Sequence, residues 1–221
     1  MKKIILSTAL LGAFAVTAKA QISIAPEAGI NISNTTSKYE FGGTTYESET
    51  ESKIGLKAGA VVNIPVVKGF FIQPGLFYSM KGNKITEETN GIDVKVTTSL
   101  NYLEVPVNLG YEFDFGNAGG VFVTAGPYLG YAFSGKRKGE GSFGGTTVSV
   151  DDDVEFGSGT NEMKRLDYGV NFSAGYRSPF GVYVRAQYGL GLANLANPEG
   201  ATTKNKVLAF SVGYAFSIGG K

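Results

Sequence analysis

The sequence predicts an all-β protein: an eight-stranded antiparallel up-and-down transmembrane β-barrel with short periplasmic turns and long extracellular loops. Three observations lead there. Apolar residues alternate with small or polar ones along segments of about a dozen residues, longer than the usual globular strand of about five or six. Eight such segments occur, an even number, and their connections alternate between short and long. Aromatic residues gather near the segment ends, where a bilayer has its two interfaces.

Residues 1–20 stand apart from this pattern. Met1-Lys2-Lys3 is a short positive region, Ile4 to Val16 is apolar, and Ala18-Lys19-Ala20 fits a small-residue cleavage site, so a removable secretory signal is expected. The barrel domain is then 21–221. With Lys2, Lys3 and Lys19 gone, the formal charge of +1 becomes −2, which offers no basic field for nucleic acid.

The segments fall at about 22–33, 53–64, 70–82, 99–113, 120–134, 165–177, 181–193 and 207–218. Their apolar parities run from Ile22/Ile24/Ile30/Ile32 through Leu103/Val105/Val107/Leu109/Tyr111 to Leu208/Phe210/Val212/Tyr214/Phe216/Ile218. Pro26, Pro74, Pro106 and Pro127 fall inside strands, where each removes a ladder donor, so bulges or register shifts are expected near them. Short turns follow at Pro65 to Gly69, Asp114 to Gly119 and Ser178-Pro179-Phe180; long loops follow at about 34–52, 83–98, 135–163 and 194–205. Within the second long loop, Lys84-Ile85-Thr86 and Val94-Lys95-Val96 around Asn90-Gly91 form a hairpin that prolongs two strands beyond the membrane.

Alternation alone fits a soluble ligand-binding barrel as well, with the faces reversed. The non-apolar face decides for lipid outside, because it is Gly, Ala and Ser with scattered charge, which suits a crowded lumen. Tyr78, Tyr131 and Phe133 would then mark the outer interface, and Tyr111, Phe113, Tyr176, Tyr214 and Phe216 the inner one.

Charges on the lumen parity are Glu27, Lys57, Glu104, Glu112, Arg165, Asp167, Arg177 and Arg185. Glu27, Lys57, Glu104, Asp167 and Arg185 fall near mid-depth and are expected to form a charge-paired network filling a narrow lumen. Among these five, Glu104 and Arg185 make the natural pair to test for coupling. Asp151, Asp152, Asp153 and Glu155 in the third long loop are a weak candidate site for a hard divalent cation, against the plainer reading of a solvated charge run. Lys136-Arg137-Lys138 opens the same loop near the outer interface, where it could meet lipopolysaccharide phosphates or simply snorkel. Lumen glycines, Gly59, Gly75, Gly110, Gly169 and Gly189 among them, read as room for larger lumen neighbours. The chain has neither His nor Cys, which removes Ser-His and Cys-His catalysis, thiol chemistry and the usual zinc sites. No cofactor and no catalytic residue is expected.

Two resemblances add to this. Ser211-x-Gly213-x-x-Phe216-x-Ile218 resembles the terminal signal read by the outer-membrane barrel assembly machinery, which makes that machinery an expected partner during biogenesis. The segments Phe71-Ile72-Gln73-Pro74-Gly75-Leu76-Phe77-Tyr78, Tyr102-Leu103-Glu104-Val105-Pro106-Val107 and Arg165-Leu166-Asp167-Tyr168-Gly169 resemble the outer-membrane β-barrel family of Bacteroidota, its porin-family and PorT-like small barrels. That resemblance implies an integral outer-membrane barrel of a Gram-negative cell, in contact with lipid and lipopolysaccharide. The expected role is non-enzymatic: surface loops displayed for envelope integrity, adhesion or binding of an extracellular or envelope partner. A narrow channel, or an accessory barrel of a secretion system, is the alternative.

Overall fold

The computed structural model describes residues 21–89, 92–143 and 146–218; the secretory leader, Asn90-Gly91, Gly144-Gly145 and the last three residues lie outside the described part. Eleven strand segments are present: β1 (Ile22–Phe41), β2 (Thr44–Glu49), β3 (Glu51–Val67), β4 (Phe70–Thr89), β5 (Ile92–Asp114), β6 (Gly120–Phe143), β7 (Thr146–Asp153), β8 (Leu166–Arg177), β9 (Val182–Gly191), β10 (Ala201–Tyr214) and β11 (Phe216–Ile218). They make eight staves. β11 continues the line of β10 along β1, while β2 and β7 fold back on β1 and β6 outside the ring. Antiparallel pairing runs β1-β3-β4-β5-β6-β8-β9-β10, and β10 returns to β1, from Glu27 opposite Gly213 to Tyr39 opposite Ala201. Closure leaves the staves no free edge within the ring.

The two faces are inverted relative to a soluble barrel. Leu56, Leu76, Leu103, Val105, Leu109, Leu129, Phe172, Val184, Phe210 and Val212 all point outward and are exposed, while Glu27, Asn31, Lys57, Gln73, Lys81, Glu104, Asn108, Asp167 and Arg185 are buried inside. An apolar outer wall around a polar core is stable where hydrocarbon surrounds it, and the closed ladder pairs the backbone groups that lipid could not satisfy. The aromatics stack at both rims: Tyr78 against Phe133 at the outer end, with centroids 6.2 Å apart, and Phe70, Tyr111 and Phe113 in succession at the inner end, 4.6 and 4.7 Å apart. Tyr214 meets Phe216 at 4.5 Å on the same inner rim.

The long connections are largely strand. β1 and β4 reach 20 residues each, β5 23 and β6 24, well past the hydrocarbon. The expected hairpin of the second loop is present as the ends of β4 and β5, from Lys84 opposite Thr97 to Thr89 opposite Ile92. In 34–41 with 44–49, and 135–143 with 146–153, strand forms where only loop was expected. Beyond Thr36 most positions there meet water, and Thr, Ser, Gly and charge are frequent, so the binary pattern is weak.

Proline acts differently from expectation. Pro26 and Pro127 sit opposite Ala60 and Val170 in unshifted register, and the pairing skips a few positions around Pro74, Pro106 and Pro127 without a net slip. Beside Pro26 the neighbouring stave is broken between Tyr214 and Phe216, the place where Pro26 has no N–H to give. Register shifts occur instead between Ser52 and Lys57, between Pro65 and Val67, and at Asn101/Tyr102, where Phe133 is the extra residue of a bulge. The inner turns are tight: Asp114 Oδ1 accepts the Gly116 N–H at 2.8 Å, and the Ser178 N–H donates to the Val182 carbonyl at 2.8 Å.

Candidate functional site

The lumen holds two charge clusters. In the inner one, Glu27 from β1 is approached by Arg185 Nε of β9 at 3.3 Å and Lys57 Nζ of β3 at 3.7 Å. Tyr183 Oη and Ser211 Oγ donate to its two oxygens at 2.8 and 2.7 Å. Arg185 Nη1 donates onward to Gln73 Oε1 at 2.8 Å, Gln73 Nε2 to Asn63 Oδ1 at 2.6 Å, and Asn63 Nδ2 to Ser23 Oγ at 2.9 Å. Lys57 donates to Gln187 Oε1 at 2.8 Å and lies 4.4 Å from the centre of the Phe77 ring. A buried carboxylate is tolerated only with its oxygens filled in this way.

The outer cluster turns on Lys81 of β4. Its ammonium pairs with Glu104 of β5 at 2.7 Å and Asp167 of β8 at 3.1 Å, and it lies 4.5 Å from the centre of the Tyr128 ring. Asn205 Nδ2 donates to Asp167 Oδ2 at 2.9 Å. Sequence reasoning missed Lys81, although it lies within the expected strand 70–82 and shares the parity of Gln73, Phe77 and Ser79; it stands one residue from that strand's expected end, away from the mid-depth charges. The five expected residues are thus placed in two groups: Glu27, Lys57 and Arg185, and Glu104 with Asp167 around Lys81. Glu104 and Arg185 do not pair with each other; each has a nearer opposite charge. Two cations with one carboxylate face one cation with two carboxylates, so the clusters differ in sign and together cancel.

Of the remaining lumen-parity charges, Glu112 and Arg177 pair at 3.0 Å at the inner mouth. Arg165 departs from the expected face: its guanidinium lies 4.7 Å from the Phe156 ring centre and 5.9 Å from that of outward-facing Tyr131, and its Nη1 donates to the Ala132 carbonyl. β8 begins only at Leu166, so the two-residue period does not carry back to Arg165.

Aromatic rings and glycines fill the rest of the lumen by a simple rule. Phe71 lies directly opposite Gly110, Phe77 opposite Gly59, Phe122 opposite Gly175, Tyr128 opposite Gly169 and Tyr183 opposite Gly213. A Cβ on any of these glycines would come within 2.7 Å of the ring opposite. Between the two charge clusters, bounded by Lys57, Lys81, Glu104, Asn171 and Gln187, remains a cavity of ≈ 10 Å³. That is about the volume one water centre needs, too little for a hydrated ion.

Outside the membrane, β6 and β7 bring the two charge runs face to face: Lys136 opposite Asp153, Arg137 opposite Asp152, Lys138 opposite Asp151. Glu140 accepts from Lys138 at 2.8 Å, and this hydrogen bond and charge hold the Glu140 carboxyl below its usual range. Among the described residues no three acidic side chains converge as metal ligands would, so Asp151, Asp152, Asp153 and Glu155 are spread along a strand and its exit. The following loops are tied together by side-chain amides. Asn197 Nδ2 reaches the carbonyls of Gly157, Gly159 and Glu162 at 2.9–3.0 Å, and Asn194 Oδ1 accepts the Ala196 and Thr203 N–H groups.

A closed eight-stave barrel with an apolar belt, two aromatic rims and a polar filled lumen is an integral membrane β-barrel. Residues 14–197 match the family model described as outer membrane protein beta-barrel domain, and the chain belongs to that family. It is an outer-membrane protein of the Gram-negative envelope. No curated protein matches it. Among solved structures it is similar to the outer membrane protein OprG from Pseudomonas aeruginosa (12% identity, 90% of this chain and 97% of that one, TM-score 0.46). It is also similar to the attachment invasion locus protein Ail of Yersinia pestis (16%, 86% and 98%, TM-score 0.32) and the outer membrane protease OmpT from Escherichia coli (13%, 89% and 97%, TM-score 0.42). Likeness at this level bears on neither activity nor partner.

Proposed function

We propose that the protein is a non-enzymatic, non-conducting barrel that displays surface strands and loops for envelope integrity, adhesion or partner binding. The observation that carries this is the lumen: two ion-paired layers and five aromatic–glycine contacts leave ≈ 10 Å³ at mid-depth. Supporting it, the ends of β4, β5 and β6 with β7 and the amide-tied loops extend beyond the outer aromatics. The absence of His from the sequence supports the non-enzymatic half of the reading. Outer-membrane lipid and lipopolysaccharide are the proposed surroundings of the rim, with Lys136-Arg137-Lys138 the proposed contact for the lipopolysaccharide phosphates, and the barrel assembly machinery the proposed partner in biogenesis. Planar-bilayer recording of the refolded protein tests the proposal. Silence is expected; reproducible unit conductance would transfer the assignment to a channel or a secretion accessory.

A further inference from the structure

The extracellular blade formed by the ends of β4, β5 and β6 with β7 has two edges that the ring does not close: Ile85–Thr89 of β4, guarded by Glu87 and Glu88, and β7. Among the described residues β7 pairs with β6 alone, and all eight of its residues are exposed. The Val154 N–H donates to the directly opposed Gly135 carbonyl at 2.9 Å. Hydrogen-bonded and non-bonded pairs alternate along an antiparallel ladder, so Thr146, Val148, Val150 and Asp152 turn their backbone groups to β6. Thr147, Ser149, Asp151 and Asp153 turn theirs to open solvent.

Natural proteins guard such an edge with charge, proline or a bulge. β2, the other strand outside the ring, has Glu47 paired with Lys38 and Glu49 with Lys206 within six residues. Thr146 to Val150 has no charge and no proline, only Thr, Ser and Val, the residues that favour strand. Its inward face is apolar and uncovered. Val94 and Val148 flank Gly141, Val96 and Val150 flank Gly139, and a Cβ on either glycine would touch nothing within 4 Å. At the membrane-proximal end the free edge passes into Asp151-Asp152-Asp153, which stand opposite Lys138, Arg137 and Lys136 in the ladder but, among the described residues, form no salt bridge with them; Lys138 pairs with Glu140 instead.

We infer that the free edge of β7 is a strand-addition site for an extended segment of another protein, with alternate apolar side chains and a basic cluster at one end. Backbone groups of Thr147, Ser149 and Asp151 would supply the ladder, Val148 and Val150 the apolar contact, and the aspartates the choice of a basic partner. This names the partner class for the display reading and rests on it.

The experiment uses the full chain in detergent or nanodiscs and a labelled synthetic nonapeptide with alternating valines and three lysines at one end. Fluorescence anisotropy should show saturable binding, and amide exchange at Thr147, Ser149 and Asp151 should slow when the peptide is present. Ser149→Pro removes an N–H that the barrel does not use and should weaken binding at least tenfold, as should a peptide with glutamates in place of lysines. Val148→Glu, a second variant that leaves the backbone free to pair, should weaken it as well; heat-shifted migration of each variant reports that the barrel has folded. Binding that is absent, or indifferent to Ser149→Pro and Val148→Glu in folded protein, overturns the inference. So does β7-dependent self-association in sedimentation, which would make a second copy the occupant. Either result leaves a silent barrel silent, so the proposed function stands or falls separately.

Discussion

Lys81 shows what a single side chain can decide in this lumen. Among the described residues it is the cation at bonding distance from both Glu104 and Asp167, so Lys81→Met strands two buried carboxylates, a loss of about 3–5 kcal/mol. Thermal unfolding in detergent should show a clear fall for Lys81→Met, with much of it recovered when Glu104→Gln and Asp167→Asn are added. A double-mutant cycle should likewise find strong coupling for Lys81 with Glu104 and a far smaller value for Glu104 with Arg185, which sit in different clusters. Had Glu104 and Arg185 coupled more strongly, the division into two layers would be wrong. The parity of Glu27, Lys57, Glu104, Asp167 and Arg185 was legible in the sequence because alternation reports a face. Their partners were not. Which carboxylate meets which cation depends on ring closure, which brings together residues as distant in sequence as Ser211 and Glu27, 184 positions apart, and one sequence carries no such register.

At the level of the strand, two faces with opposite tolerance run side by side. Phe210 is lipid-facing, and Phe210→Arg should cost roughly 2–4 kcal/mol near the midplane, whereas Ser211→Thr keeps the hydroxyl that serves Glu27. Refolding yield read by heat-shifted gel migration separates the two, and equal yields would contradict the assigned faces. Glycine sorts in the same way. Gly175→Val drives a side chain into the Phe122 ring and should unfold the barrel or force that ring from its place, while Gly139→Val, in open space on the blade, should refold like the parent. The membrane-spanning parts of these strands could be read from their period, and so could the hairpin of β4 and β5, which keeps Ile85, Val94 and Val96 on one face. The extensions of β1 and β6, with β2 and β7, could not. Water at most positions weakens the contrast between faces, and the backbone ladder alone holds them in line. The prolines misled for a related reason. Pro26 does interrupt a ladder, but the neighbour accommodates it by breaking at Ala215, an event in a stave at the far end of the chain.

Taken as one object, the barrel is a plugged cylinder bearing an open-edged blade. Its closed ladder should make it migrate differently before and after boiling on a denaturing gel, with a circular dichroism spectrum dominated by strand; identical migration would exclude the closed ring. The sequence made the cylinder and its location legible, since length, parity and alternating loops all bear on the same bilayer. It left the blade and its loose edge hidden, because those depend on how far strands continue past the point where the membrane stops shaping them. The opposed signs of the two lumen layers have a last consequence, for traffic. A cation arriving from outside would be drawn to the layer with excess carboxylate and then turned back by the excess ammonium and guanidinium beneath it; an anion would be refused at the first layer. Neutral as a whole and polarised along its axis, such a plug would, on the proposed non-conducting reading, act as an electrostatic double door against ions of either sign.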